Sequence, residues 1–138
     1  MHEYPELESS RLARERALHA SDGTLTLQTC RACGQAQYPC RYVCQYCLGD
    51  DLSWTRISSA GQVLATALVH RSLHPFFQGR LPWRICSVLL GAGPRVIAHA
   101  SDPAIESGTE VSVRDHHVSK VQCVLIAERR FKSAGEET

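Results

Sequence analysis

Four cysteines carry the clearest chemistry in the chain. Cys30-Arg31-Ala32-Cys33-Gly34 and Cys44-Gln45-Tyr46-Cys47-Leu48-Gly49 are two CxxC knuckles, with ten residues between Cys33 and Cys44. Each knuckle turns two sulfurs to one side. Two knuckles brought face to face by a hairpin present four thiolates in a tetrahedron, about 2.3 Å from a zinc ion. Cysteine fills every position, so no place is left for a reactive water, and such a zinc is structural. A rubredoxin-like iron site uses the same four ligands, and a redox dithiol uses the same CxxC spacing; both stand as alternatives. The glycine after each knuckle reads as the residue that permits the tight turn. Cys40, beside Pro39, reads as a spare hairpin residue, and Cys86 and Cys123 as small hydrophobes inside apolar strands.

Other reactive residue types are less organised. Asp115-His116-His117 has the types for acid–base or metal chemistry. Neighbours on a strand point to opposite faces, so this run reads as a solvated strand end. His70, His74 and His99 read as surface or edge residues. No nucleophile motif, phosphate loop or dinucleotide fingerprint is present. The segment Arg71 to Arg84, RSLHPFFQGRLPWR, is unusually long for a connection and too apolar for a disordered one. It holds Phe76, Phe77, Leu81 and Trp83 together with Arg71, His74, Arg80 and Arg84.

The elements that must position these residues follow from periodicity. Residues 6–20 read as a helix stopped by Asp22-Gly23, with a narrow apolar face of Leu7, Leu12, Ala13, Ala17 and Leu18. That face suits a helix lying on another surface, such as a partner, rather than in a core. Residues 24–55 form the cysteine unit, opened by the short alternating strand Thr24–Gln28; a unit this small needs a staple. Beyond it the pattern is all β: Gln62–His70, Ile85–Leu90, Arg95–Ala100, Glu110–Arg114 and Val121–Ala127, punctuated by glycines. Five short strands in such a span suit a closed OB-fold barrel. The expected fold is therefore mostly β: an N-terminal helix (1–23), a four-cysteine zinc ribbon (24–55), a small OB-fold β-barrel (56–131) and a polar tail (132–138).

Composition bounds the function. The chain has 138 residues, 43% hydrophobic and 21% charged, with a formal net charge of +1. That is a globular composition without a membrane span or an apolar leader, and the expected location is cytoplasmic. Seven cysteines in a reducing compartment point to metal rather than disulfides. Zinc ribbons and OB-folds also bind nucleic acid, but the near-neutral balance weighs against such a partner.

From Leu27-Gln28-x-Cys30, through the CxxCG knuckle, Pro39, the second CxxC, Trp54 and Gly61, to Leu81-Pro82-Trp83, the chain resembles a known family. It is similar to the acyl-CoA-associated OB-fold proteins that carry a rubredoxin-like zinc ribbon, over residues 5–130. Cys40 stands where that family often has proline. The resemblance implies a non-catalytic accessory subunit of a thiolase-like acyl-CoA complex that makes or breaks carbon–carbon bonds, of thiolase, acyltransferase or aldolase type. It implies one structural zinc on Cys30, Cys33, Cys44 and Cys47, acyl-CoA as a ligand of the complex, and a thiolase-like partner subunit that holds the catalytic residues. Two copies of each chain are expected. Within it, Arg71, His74, Phe76, Phe77, Arg80, Trp83 and Arg84 are the candidate contacts to acyl-CoA or to the partner, with a barrel plug as a third use of that loop. The alternatives are a nucleic-acid-binding ribbon–barrel module, an iron electron carrier, and a stand-alone enzyme using Asp115 and His116.

Overall fold

A computed structural model describes residues 4–6 and 10–130. The expected tail at 132–138, and the part of the expected helix at residues 7–9, lie outside the described residues. The helix α1 runs Arg11–His19 and starts where Ser10 caps it, the Ser10 hydroxyl accepting from the Ala13 N–H at 3.1 Å. Its buried residues are Arg16 and Ala17, while Leu18 is 70% exposed. Of the expected face, Ala17 is buried and Leu12 and Ala13 are half-buried, while Leu18 turns outward. The helix lies on this chain's own strands, and a charged residue leads its contact.

The cysteine unit is a three-stranded antiparallel sheet of β1 (Thr26–Cys30), β2 (Ala36–Gln37) and β3 (Leu52–Arg56), in the order β2-β1-β3. The following strands are β4 (Ala60–Val69), β5 (Trp83–Leu90), β6 (Arg95–Ala100), β7 (Glu110–Ser119) and β8 (Gln122–Arg129). They close in the order β4-β5-β6-β8-β7, with β6 and β8 parallel and all other pairs antiparallel. This closed five-strand order fits a small OB-like barrel. Val63, Val88, Val96, Val111, Val113 and Leu125 fill its interior, and Leu25 and Leu27 of the ribbon side belong to the same buried cluster. Cys86 is buried there as a small hydrophobe, its thiol pushed up to about 11 by burial. Gly61 is required by close approach: a Cβ there would stand 2.7 Å from Val88 Cγ1 and 2.9 Å from the Leu89 carbonyl oxygen. No helix among the described residues is long and apolar enough to cross a membrane.

Strand β7 continues well past the expected Arg114, and Asp115 is fully buried rather than solvated. Its Oδ1 accepts from Arg16 Nη1 at 2.5 Å, and its Oδ2 accepts from the Thr26 N–H at 2.9 Å. Burial pushes the Asp115 carboxyl up from its ordinary value, and the Arg16 guanidinium and the Thr26 N–H pull it back. The Asp115 backbone also donates to Thr24 O and accepts from the Gly23 N–H. Helix, ribbon strand and barrel thus meet at one carboxylate. Two residues on, His117 faces Asp22 Oδ1 through Nδ1 at 2.5 Å and the Ala17 carbonyl through Nε2 at 2.8 Å. Burial opposes its charging, but these acceptors prevail and hold the imidazole above its usual value.

Candidate metal centre

Strand β1 delivers Cys30 at its end, and a turn in which the Gly34 N–H donates to Cys30 O brings Cys33 back beside it. Gly34 has φ +79°, as the knuckle requires. The second knuckle differs from expectation. Its left-handed residue is Leu48, at φ +64°, and not the glycine that follows. Gly49 has another duty: a Cβ there would come within 3.3 Å of Cys47 Sγ and 3.9 Å of Cys30 Sγ. It leaves room for sulfur.

The four sulfurs of Cys30, Cys33, Cys44 and Cys47 lie within 4.8 Å of one another. Cys30 and Cys47 are separated by 3.6 Å, and Cys33 and Cys44 by 3.5 Å. A regular tetrahedron with zinc–sulfur bonds of about 2.3 Å has edges of about 3.8 Å, so the arrangement fits one ion and is far too open for disulfides. All seven cysteines are free. Burial opposes ionisation of Cys44, but the N–H groups of Cys47 and Tyr46 and the thiols of Cys33 and Cys47 hold it down to about 7. The Gln35 N–H pulls Cys33 the same way and is outweighed by burial and by the other three thiols, which push it up to about 12. A bound dication would displace these protons and turn the crowding of sulfurs into attraction.

Two buried glutamines tie β1 and β2 to the backbone that leads into the second knuckle. Gln37 Nε2 donates to Gln28 Oε1 at 2.6 Å, Gln28 Oε1 also accepts from the Arg41 N–H, and Gln37 Oε1 accepts from the Gln45 N–H. Gln28 was visible only as a lead-in residue, and nothing in the spacing marked Gln37.

The loop residues separate into groups. Phe76, Phe77 and Trp83 meet edge to face, with ring centroids 5.1–5.6 Å apart. Arg80 lies 4.3 Å over the Phe76 ring and donates to the Phe76 carbonyl. His74 Nδ1 accepts from the Phe76 N–H and so caps the 3-10 turn Pro75–Phe77. Arg84 points elsewhere, to Thr66 Oγ1 and the Ile105 carbonyl. Arg71 is exposed and lines an open cleft of about 530 Å³ with His70, Ser72, Leu73, Gln78 and Leu81. The aromatic group extends further than the sequence indicated. Trp83 Nε1 donates to His99 Nδ1 at 2.9 Å, and the Tyr4 ring contacts Trp83, His99 and His116. His99 is no ordinary edge residue: burial holds its imidazole down to about 4.

Residues 19–53 match the family model described as ChsH2, rubredoxin-like zinc ribbon domain. This segment is similar to the zinc ribbon of that family. Its four-cysteine centre supports zinc, as the knuckle spacing indicates. Beyond the ChsH2-type ribbon the likeness is structural. A chain of the solved structure named Ltp2-ChsH2(DUF35) aldolase aligns with TM-score 0.68 and 22% identity, covering 91% of this chain and 98% of that one. A DUF35-family protein of unknown function from Sulfolobus solfataricus aligns with TM-score 0.55 and 14% identity, covering 86% and 83%. No curated protein gives a significant match to the sequence. The ribbon–barrel resemblance read from the sequence therefore stands, with the ribbon carrying its specific part.

Proposed function

We propose that this chain is a non-catalytic accessory subunit of a thiolase-like acyl-CoA complex, one that stabilises the catalytic partner and forms part of its acyl-CoA channel. The observation that carries this reading is the near end-to-end likeness to a chain of the Ltp2-ChsH2(DUF35) aldolase structure, coupled to a ChsH2-type ribbon. The loop chemistry supports it. A thioester ligand needs an apolar wall for its acyl and pantetheine parts and cations for its phosphates. Phe76, Phe77 and Trp83 offer an apolar wall, with Arg80 held over the Phe76 ring, and Arg71 offers an exposed guanidinium in the 530 Å³ cleft. Aromatic and arginine side chains are also the usual anchors of a protein interface. Two copies of each chain follow if the partner is dimeric, as thiolase-like proteins are. Free cysteines throughout suit a cytoplasmic setting.

Pull-down of this chain from its source cell, followed by co-expression with a thiolase-like protein recovered there, tests the reading. The two chains are expected to co-purify, with acyl-CoA turnover present in the complex and absent from this chain alone. Turnover of short acyl-CoA substrates by the isolated chain would overturn it. So would a partner whose solubility and activity are indifferent to this subunit.

A further inference from the structure

Strand β4 pairs with β5 along most of its length, from Gly61 to Val69, but with β7 only at Ala60–Gln62. The Val63 N–H and C=O are taken by Thr109 and Gly108, and the Leu64 carbonyl by the Ser107 hydroxyl. Past that point no strand among the described residues lies against the second edge of β4. The ladder says which groups are left there. The Leu90 N–H of β5 turns to Pro94, on the β6 side. Partners alternate along an antiparallel pair, so Val88, Cys86 and Arg84 also face β6, while Ser87, Ile85 and Trp83 face β4. Their register partners are Ala65, Ala67 and Val69. Thr66 and Leu68 therefore direct their N–H and C=O groups away from the barrel.

This edge lacks the protections that natural edges carry. Gln62 through Val69, QVLATALV, holds no charge and no proline. Leu64 is 38% and Leu68 41% exposed, and Ala65 and Ala67 are exposed as well. The nearby guanidinium of Arg84 is turned to Thr66 Oγ1 and the Ile105 carbonyl rather than held out as a guard. An unguarded edge is matched by another strand, since only extended backbone satisfies a row of alternating donors and acceptors.

We propose that the β4 edge is a self-association surface, occupied by β4 of a second copy of this chain in antiparallel register about a two-fold axis at Ala67. Thr66 then pairs with Leu68 of the copy and Leu68 with Thr66, exchanging four backbone hydrogen bonds. Ala67 meets its own copy across a non-hydrogen-bonded pair, where Cα atoms stand about 4.5 Å apart and two methyl groups meet without crowding. Neutral edge meets neutral edge, and Leu68 covers the Thr66 methyl of the copy. A strand of a charged partner would find no counter-charge here. Two-fold closure also satisfies the edge completely and stops further addition. The inference is independent of the accessory-subunit reading, because it concerns the chain alone.

Sedimentation of the full zinc-loaded chain over a concentration series tests it. The mass is expected to rise from 15.3 kDa toward twice that value. Ala67→Lys and Ala67→Glu each place like charges on the axis and are expected to remain at the monomer mass with wild-type circular dichroism, since Ala67 is exposed. An equimolar mixture of the two is expected to regain the doubled mass. Hydrogen exchange at the Thr66 and Leu68 amides is expected to slow as wild-type concentration rises. A wild-type chain that stays monomeric throughout, a dimer unmoved by both substitutions, or a folded mixture that fails to reassociate would each overturn the proposal.

Discussion

Removing the carboxylate of Asp115 is the most informative single perturbation of this fold. Arg16 is 5% exposed and Asp115 is fully buried, so neither charge has water to fall back on. In Asp115→Ala the guanidinium keeps its bond to the Thr26 carbonyl but loses the carboxylate it pairs with, and the Thr26 N–H loses its acceptor. Stripping one partner from a buried pair costs about 3–5 kcal/mol, because a naked charge remains. The total stability of a chain this long is roughly 7–20 kcal/mol, so the loss is a large share of it. At roughly 3 °C per kcal/mol the melting temperature should fall by about 10–15 °C. Urea unfolding followed through Trp54 and Trp83, with zinc present, measures the change at both ends of the molecule. The double variant Arg16→Met/Asp115→Leu removes both charges and should recover most of the loss, since an apolar pair of similar volume often matches a buried ion pair. A loss below about 1 kcal/mol in Asp115→Ala would refute the reasoning, as it falls within the range of exposed pairs. A double variant as unstable as the sum of the singles would refute it too, by showing that the pair acts through shape and not charge.

His99, held near 4 in the fold, should make the protein acid-sensitive. Above its unfolded value near 6.5 it contributes no pH dependence; as pH falls from there to about 4 the unfolded chain takes the proton first, and up to about 3 kcal/mol is lost. His99→Gln keeps an acceptor for Trp83, and its melting temperature should vary less over that window than the wild type's. Chelation should release one zinc per chain, read by a metallochromic dye, and Cys33→Ser should lose the metal. For zinc-finger peptides the binding is worth roughly 10–16 kcal/mol. Because Leu25 and Leu27 lie in the barrel's core cluster, the Cys33→Ser transition should be felt in the barrel's amide exchange and not in the ribbon alone. Gly61→Ala should destabilise by about 1–3 kcal/mol in the same unfolding assay, since the new methyl meets the Leu89 backbone oxygen at 2.9 Å.

The legible parts of the molecule were those written in local spacing. Two CxxC knuckles announced their centre because a metal site needs four ligands at short, fixed intervals, and the strands from Val63 to Ala127 announced themselves by alternation and glycine stops. What stayed hidden was polar and long-range. Asp115 and His117 looked like a solvated end because their partners, Arg16, Asp22 and the Ala17 carbonyl, lie about a hundred residues earlier. Arg16 falls outside the apolar face of the helix for the same reason: an arginine that docks on a buried carboxylate counts as polar in any periodicity. Gln37 satisfies three partners in a buried network, and a lone glutamine carries no sequence signal of that role. His99 depends on Trp83, sixteen positions earlier, for the bond that orients its ring.

The convergence on Asp115 also sets an order of events. The Arg16 contact spans 99 positions and the Thr26 contact 89, which makes them among the most non-local links in the chain. Such links close late, after nearer contacts have shortened the loop between them. During synthesis the helix and β1 emerge first, yet their anchor is made only when β7 has been added. For that interval the ribbon has zinc and its glutamine network to hold it, while Leu25 and Leu27 still await the barrel that will bury them. Metal availability at the moment of translation therefore bears most on the nascent chain, before its last third has arrived.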